Sequence, residues 1–469
     1  MRIRDIILLL KDYILLGIIL LILISIIFLI GYKLVYQKIM KGKKKISLRN
    51  ISKKKILLYA ISICYFVVVF GAVFLNRGAV YKEVNLHLLS SYLEAYHNMS
   101  PSLIRNIILN ILMFVPLGVF LPLYTSKLDK IYKVISIGFL ITLIIEIMQY
   151  ATGFGIFEIA DLLNNTIGVL IGYGLYKSYF NIRNKEKKIY LLGYLSPIYV
   201  LLILFLTIGI IYQTQEFGNL PFEYNYKLDM TNANIINNIE LDDSKETKPI
   251  YYLKTLKESE TRKQANDFYR NLGTSVREED IEMYIYEDTA IYNSKDGNYS
   301  MWINYADGSY KFTDYSNFDK NIETKAGAPK EEIITALNKI GIELPEESNF
   351  EETNDSYTFK VNIKSEKNVI EGTLNCSYYN DNTVKRVENN IVKYEKVKEK
   401  EIISEKDAYN EIINGRFQYG RYLGNIDEVI IENIEFKYYL DTKGYYVPIY
   451  AFTTKINNNP YEILIKGVK

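Results

Sequence analysis

Long apolar runs between Tyr13 and Tyr212 predict helices that cross a membrane. A run of about 20 apolar residues is long enough to span a hydrocarbon core about 30 Å thick. Residues Asn164 and Asn165 stand near the start of the fifth run and make it the weakest of the set. The pattern predicts an α-helical transmembrane bundle of about six spans: Tyr13–Gly31, Ile56–Leu75, Ile107–Leu123, Ile131–Tyr150, Leu162–Leu175 with its flanks, and Tyr190–Tyr212.

Beyond residue 212 the chain becomes polar, and helical and strand-like patterns alternate. Helices are predicted at Leu256–Asn271 and Lys330–Ile340, and a third begins at Ser404, a residue type that caps helices. Period-two patterns predict antiparallel strands. We therefore expect an extracellular α+β region of two or three small helix-plus-antiparallel-sheet units. The predicted strands are Glu282–Tyr286, Tyr299–Tyr305, Tyr310–Phe312, Tyr357–Ile363, Ile370–Tyr379, Thr383–Ile391, Val429–Leu440, Tyr445–Thr454 and Tyr461–Lys466.

These patterns predict five segments along the chain. The membrane part comprises an N-terminal helix with a basic cytoplasmic loop, a central membrane domain and a last transmembrane helix. A connector with few periodic signals then leads to the extracellular α+β region. The expected bounds are 1–55, 56–180, 181–212, 213–250 and 251–469.

Charge differs sharply between the two parts and predicts the orientation. Residues 1–212 hold 24 Lys and Arg against 9 Asp and Glu, whereas residues 213–469 hold 32 against 45. Loops rich in Lys and Arg stay on the cytoplasmic side. Segment 33–55 carries ten basic residues and no acidic one, and segments 125–133 and 177–188 are also basic. We therefore expect a multi-pass protein of the cell membrane with its N-terminus and its C-terminal region outside.

The amino-acid composition excludes several kinds of metal, disulfide and catalytic site. The two cysteines, Cys64 and Cys376, are too few for a disulfide framework or a Cys-rich zinc site. The two histidines, His87 and His97, are too few for a His-cluster metal centre, and a Ser-His-Asp triad is excluded after residue 97. We expect no metal, no cofactor and no nucleic-acid partner. The richness in Ile, Lys, Asn and Tyr suggests an AT-rich genome, as in low-GC, Gram-positive bacteria.

Polar side chains inside the predicted spans need a reason, because their burial in lipid is unfavourable. Helical spacing places them on shared faces, and the topology places them toward the outer side of the membrane. They are either polar contacts that hold helices together or the lining of an outward pocket for a lipid or glycan headgroup. The candidate pocket residues are Asn106, Asn110, Glu146, Gln149, Glu158, Asp161 and Asn165.

A second set in the same region suggests helix packing. Pro116 and Pro122 predict a kink in the third span. Gly168 and Gly172, four residues apart, form a small-residue face that favours close helix contact, and Gly118 belongs to the same packing set.

Three motifs in these spans resemble the VanZ-like family of membrane proteins. The run from Asn110 to Pro122 resembles an N-x-x-x-F-x-P-x-G-x-x-x-P signature, and Glu146 with Gln149 resembles the family's E-x-x-Q. Residues 152–168 resemble a T-G-x-x-x-F-D-I-D-D-x-x-x-N-T-x-G segment, but Phe154 stands where an Arg is common and Ala160 replaces an acid. The resemblance covers about residues 58–180. The last unit of the outer region, with segments 403–417 and 436–452, resembles YycI- or PepSY-like modules.

The resemblance implies a bacterial envelope protein related to resistance against glycopeptides of the teicoplanin type. We expect a non-enzymatic protein whose outer region binds or senses an envelope component. Its partners would be membrane lipids and a cell-wall component, lipid-linked headgroup or glycopeptide. The alternative is an intramembrane enzyme that acts on a lipid-linked headgroup with Glu146, Glu158 and Asp161 as acid and base. A transporter component is a third possibility, although no inverted repeat is evident.

Overall fold

The computed structural model describes residues 53–75 and 82–468, apart from 254, 275, 287–288, 318–322, 354–355, 366 and 421–423. The chain divides into two compact units after Gln215, and each is described by itself. The predicted first span and most of the basic segment 33–55 lie outside the described residues.

Helices build the first unit. The chain enters α1 and leaves it through a short π-helical turn at Gly71–Leu75, and two short strands, β1 and β2, lie between helices. Helix α3 begins at Pro101, a favourable first position because proline lacks the N–H that would be unpaired there. The bounds are α1 Lys53–Phe70, β1 Val84–Asn85, α2 Ser90–Asn98, α3 Pro101–Tyr124, α4 Ile131–Thr152, β2 Phe157–Glu158, α5 Ile159–Arg183 and α6 Lys188–Thr214.

Four described helical segments are long and apolar enough to cross a membrane: Leu57–Phe74, α3, α4 and α6. These correspond to the second, third, fourth and sixth predicted spans. Helix α5 has 25 residues, but Asp161 at its start and Lys177 near its end make it more polar than these four. It packs against α3, α4 and α6, so much of its surface is covered by protein. The described residues therefore show several long apolar helices and do not by themselves establish six spans.

Glycine brings α3 and α5 close together. A methyl group on Gly118 would overlap the carbonyl oxygen of Val169, and one on Gly172 would overlap that of Val115. Likewise, a methyl group on Gly168 would overlap the carbonyl oxygen of Ile111. Beside this contact, the main core of the unit contains Phe114, Leu117, Leu121, Val134, Val169 and Tyr173. Helix α3 continues through both Pro116, which is partly buried, and Pro122, which is buried.

The second unit is dominated by strands. Fourteen described strands hydrogen-bond into one sheet in the order β3-β14-β15-β4-β13-β11-β12-β8-β7-β6-β5, with β16 beside β15, and with β10 beside β11 and β9. The pairing is antiparallel except between β3 and β14. The strand bounds are β3 Asn234–Asn237, β4 Thr247–Tyr252, β5 Ile281–Tyr286, β6 Thr289–Ser294, β7 Tyr299–Asn304, β8 Tyr310–Asp314, β9 Asn349–Thr353, β10 Ser356–Lys364, β11 Asn368–Tyr378, β12 Val384–Asn389, β13 Val392–Glu401, β14 Glu428–Leu440, β15 Tyr445–Ile456 and β16 Asn459–Lys466.

Three helices cover parts of this sheet: α7 Glu258–Asn271, α8 Lys330–Lys339 and α9 Glu405–Ile413. Helices α7 and α8 enclose one core with β6, β7, β8, β10, β11 and β12, which includes Phe268, Tyr292 and Phe359. Helix α9 encloses a second core with β14, β15 and β16, which includes Ile412 and Phe452. The expectation of separate small units is therefore only partly right, because the cores are separate but their strands form one continuous sheet.

Most of the segment predicted as a connector, residues 216–250, belongs to the second unit. Phe217 and Leu220 are buried in the core beneath α9, at 5% and 0% exposure. The buried carboxylate of Asp441 accepts hydrogen bonds from the backbone N–H groups of Gly218 (2.5 Å), Lys443 and Tyr445 (2.8 Å each). These contacts fix the start of the unit to the turn between β14 and β15. Periodicity could not reveal them, because Gly218 and Asp441 are 223 residues apart in the chain.

Candidate functional site

The polar residues of the first unit gather where α3, α4 and α5 meet the segment that carries β1 and α2. Strand β1 pairs in parallel with β2, with Val84 opposite Phe157 and Asn85 opposite Glu158. The backbone N–H of Phe157 also donates to the carbonyl of Glu83 at 3.0 Å. This pairing holds the β1–α2 segment against the first turn of α5.

Glu158 contacts several elements of this site. It stands directly before α5 in an extended conformation, so its charge lies at the positive end of the helix dipole. One carboxylate oxygen accepts from Asn85 Nδ2 at 3.3 Å and the other from Ser91 Oγ at 3.2 Å. The backbone N–H of Glu158 donates to Glu146 Oε2 at 3.2 Å. Glu158 therefore links β1, α2, α4 and α5.

Glu146 belongs to a buried polar face of α4. Thr142, Glu146 and Gln149 are 0%, 2% and 2% exposed and lie on one side of the helix. Asn165 Nδ2, from α5, donates to Thr142 Oγ1 at 2.6 Å. Within the described residues, two buried amide oxygens have no hydrogen-bond partner, Gln149 Oε1 and Asn165 Oδ1. Buried acceptors are normally paired, so these two are exceptions.

A second group of contacts joins α3 and α2 to the first turns of α5. Asn110 Nδ2 donates to Asp161 Oδ1 at 2.6 Å. Tyr92 donates its hydroxyl to Asn164 Oδ1 at 2.7 Å. Burial raises the pKa of Tyr92 to about 12, and the nearby charge of Asp161 adds to the shift. The tyrosine hydroxyl is therefore protonated at neutral pH and can act as a donor.

The seven predicted pocket residues differ in what they contact and in how deeply they are buried. Asn110 contacts Asp161, and Glu146 contacts the backbone of Glu158. Gln149 and Asn165 are buried in the same three-helix region but carry the unpaired oxygens. Asn106 is the exception, because it is exposed and does not lie among the buried polar groups. The four-residue spacing on α3 placed it with Asn110, but the side chain of Asn106 is exposed while residues 105 and 107 beside it are half-buried.

Sequence analysis missed the side chains that donate to Glu158 and to the amide oxygen of Asn164. Asn85, Ser91 and Tyr92 lie in a segment between spans that lacks a long apolar run. Their only available signal was a position on the same predicted outer side as Glu158. That signal could not pair them, since Asn85 and Glu158 are 73 residues apart in the chain.

The site is rich in hydrogen-bond acceptors. Three carboxylates, Glu146, Glu158 and Asp161, are held at one end of the bundle by hydroxyl, amide and backbone donors. Both amide oxygens without partners are also acceptors. Among the described residues, no group of three or more His, Cys, Asp or Glu side chains is arranged to hold a metal ion.

Residues 56–182 match the family model described as VanZ/LLP1. This confirms the resemblance inferred from the three motifs: the chain contains a VanZ-like region, which spans about a quarter of its length. Together with the long apolar helices, the match indicates a membrane protein of the VanZ-like type.

Two solved structures show distant similarity. An uncharacterized protein from Eubacterium rectale is 10% identical, with 50% of this chain and 86% of that chain covered and a TM-score of 0.26. The Bacillus megaterium YpeB C-terminal domain is 13% identical, with 46% and 95% covered and a TM-score of 0.18. TM-scores this low assign no fold to any part of this chain. No curated protein matches it.

Proposed function

We propose that this VanZ-like membrane protein binds the polar headgroup of an envelope molecule at the site around Glu158. Through this site it alters susceptibility to glycopeptides of the teicoplanin type, without catalysing a reaction. The second unit is a binding or sensing module outside the membrane. The observation that carries the proposal is the clamp on Glu158, whose carboxylate accepts from both Asn85 and Ser91 while its N–H donates to Glu146.

Charge indicates the type of headgroup. Three carboxylates and two buried amide oxygens without a partner make this end of the bundle rich in hydrogen-bond acceptors. A ligand with hydroxyl or ammonium groups could donate to the unpaired oxygens of Gln149 and Asn165. Lipid-linked sugars and glycopeptides both carry such groups, so they share the chemistry that the site favours.

The proposal includes six crossings, with the N-terminus and the second unit outside. Its support is the excess of Lys and Arg in segments 33–55, 125–133 and 177–188. Single cysteines at positions 47 and 316 test it in a chain whose Cys64 and Cys376 are replaced by Ser. An impermeant maleimide should label Ser316→Cys, and not Ser47→Cys, in intact cells. Labelling of Ser47→Cys from outside would overturn this topology.

The functional test compares susceptibility to teicoplanin and other wall-active compounds after deletion of the gene and complementation. The wild-type gene should restore the original susceptibility, and Glu158→Gln should not. The matched control is Glu186→Gln, which removes a carboxylate charge just after the opposite end of α5, where Glu186 is exposed and contacts Asn181. Membrane abundance and thermal stability are measured for each variant.

Three results would contradict the proposal. If deletion of the gene changes susceptibility to none of the compounds, the proposed role in the envelope is wrong. A Glu158→Gln variant that complements fully shows that the clamp is not the site. A variant that fails only because its abundance falls shows that Glu158 serves helix packing. Turnover of a lipid-linked sugar by the purified protein, lost in Glu158→Gln, would favour the enzymatic alternative instead.

A further inference from the structure

The second unit contains a groove that is formed by residues between Asn271 and Val384. It runs along α8, beside the end of α7 and the turn between β11 and β12, and has a volume of about 700 Å³. Ligand-binding sites in proteins typically have volumes of about 300–1,000 Å³. The groove is therefore large enough for a small organic molecule.

The buried lining residues of the groove are mostly apolar, with Tyr378 and Asp314 as the polar exceptions. Ile333, Ile340 and Val384 are buried there at 2%, 6% and 5% exposure. Tyr378 also lines the groove and is 1% exposed, and its hydroxyl has no hydrogen-bond partner among the described residues. Burial raises the pKa of Tyr378, so this hydroxyl is neutral. A buried hydroxyl without a partner is unfavourable for folding, and a bound molecule could supply the missing hydrogen bond.

The rim is polar and carries charges of both signs. The charged residues that line the groove are two cations, Lys325 and Lys339, and three acids, Asp314, Glu331 and Glu332. Lys325 is held in place, because its ammonium group contacts Glu332 and donates to Asn382 Oδ1 at 2.6 Å. Charged groups of both signs, some of which donate hydrogen bonds and some of which accept them, therefore surround the apolar residues of the groove. A strongly charged ligand would meet like charge on one side of this rim.

We infer that the groove binds a neutral saccharide, with one sugar face on its apolar residues and a ring hydroxyl bonded to Tyr378. A pyranose ring has a C–H face and a belt of hydroxyls that donate and accept, which matches a groove and rim of this composition. The inference rests on the proposed binding role of the second unit and names its ligand class. It is independent of the membrane site around Glu158.

The test uses the full chain in lipid nanodiscs and isothermal titration calorimetry. The probes are three neutral trisaccharides, N,N′,N″-triacetylchitotriose, cellotriose and maltotriose, and the peptide Ala-Ala-Ala. At least one trisaccharide should bind saturably, and the peptide should not. Tyr378→Phe should weaken that binding about fivefold, the effect of one lost hydrogen bond, without lowering the melting temperature.

Two further variants make the result specific. Tyr305→Phe is the matched control, because it removes a tyrosine hydroxyl outside the groove and should leave affinity unchanged. Asn382→Gly should weaken binding about threefold. Glycine tolerates the positive φ of 67° at this position, so the turn is kept while the rim amide is lost.

The inference is overturned if none of the three trisaccharides binds, if only the peptide binds, or if Tyr378→Phe binds as tightly as the wild type. These failures are distinct from failure of the envelope role, which is scored by drug susceptibility in cells. If the trisaccharide bound at the membrane site instead, Tyr378→Phe would leave its affinity unchanged, and that result would overturn the groove assignment.

Discussion

The contact between α3 and α5 makes a sharp prediction about stability, because three glycines permit it. In Gly172→Ala, the new methyl group would overlap the carbonyl oxygen of Val115 and would lie 3.0 Å from the Cα of Gly118. Backbone atoms cannot rotate away as side chains can. The two helices must therefore separate, and the neighbouring core loses contacts.

The size of the effect follows from a comparison with Gly193 on α6. A methyl group at Gly193 meets no atom within 4 Å. Both substitutions gain about 1 kcal/mol of intrinsic helix preference, so this gain cancels in the difference between them. Overpacking costs about 1–3 kcal/mol, and overlap with backbone favours the upper half of that range. Gly172→Ala should therefore be roughly 2–3 kcal/mol less stable than Gly193→Ala.

The assay is thermal unfolding of the purified full chain in detergent, followed by the loss of helical circular dichroism. A difference of this size corresponds to a melting temperature lower by roughly 4–12 °C for a unit of this length. Gly118→Ala should act similarly, and the double variant Gly118→Ala/Gly172→Ala should cost less than the sum, because one separation of the helices relieves both overlaps. Equal melting temperatures for Gly172→Ala and Gly193→Ala would refute the argument.

Two further predictions concern the second unit. Ser404 is 1% exposed and caps α9, because its hydroxyl accepts a hydrogen bond from the N–H of Asp407 at 3.0 Å. Ser404→Ala should therefore lower the free energy of unfolding, measured by urea denaturation, by about 1 kcal/mol. Ser404→Thr should restore most of this loss. Hydrogen bonds from Lys398 and Lys400 lower the pKa of Glu216 below its ordinary value of 4.5. The ionised carboxylate therefore stabilises the folded chain above pH 4.5, and this contribution is lost as the pH falls through the lowered pKa. The melting temperature of Glu216→Gln should therefore be below that of the wild type at pH 6 and should approach it at pH 3; a constant gap would contradict this.

The long helices of the first unit were predictable because each depends on local composition. The predicted run Ile131–Tyr150 lies within α4, and Tyr190–Tyr212 lies within α6. Most predicted strands also lie within a few residues of those found. The strands of the second unit that the sequence analysis missed are β3, β4, β6, β9 and β13. Their pairing partners, which the sequence does not reveal, determine that they become strands.

The organisation of the second unit was less predictable, since it depends on contacts between distant residues. Strand β4 lies between β13 and β15, both of which come much later in the chain. It joins the strands around the α9 core to those around the α7–α8 core. A pattern of repeated helix-then-strands predicts separate units, because nothing local to β4 marks it as the link.

In the candidate site, too, the sequence predicted which residues share a helix face but not which distant residues contact them. Helical spacing brought Glu146 and Gln149 to one face of α4, and both are buried there. It also placed Asn106 beside Asn110, although Asn106 is exposed. Spacing describes one helix, whereas burial depends on which neighbours cover it. Asn85 and Ser91 could not be assigned to Glu158 for the same reason.

Hydrogen bonding separates the two interpretations of these polar residues. If they served only to hold helices together, we would expect each buried polar atom to be paired, because an unpaired one costs about 1–3 kcal/mol and adds no contact between helices. Asn110 with Asp161 and Asn165 with Thr142 fit that expectation. The unpaired oxygens of Gln149 and Asn165, within the described part of the bundle, do not fit it. Each unpaired buried group in a native protein calls for an explanation, and a functional role is one of them. These two oxygens are therefore the reason we propose a site for a donor-rich ligand and not helix packing alone.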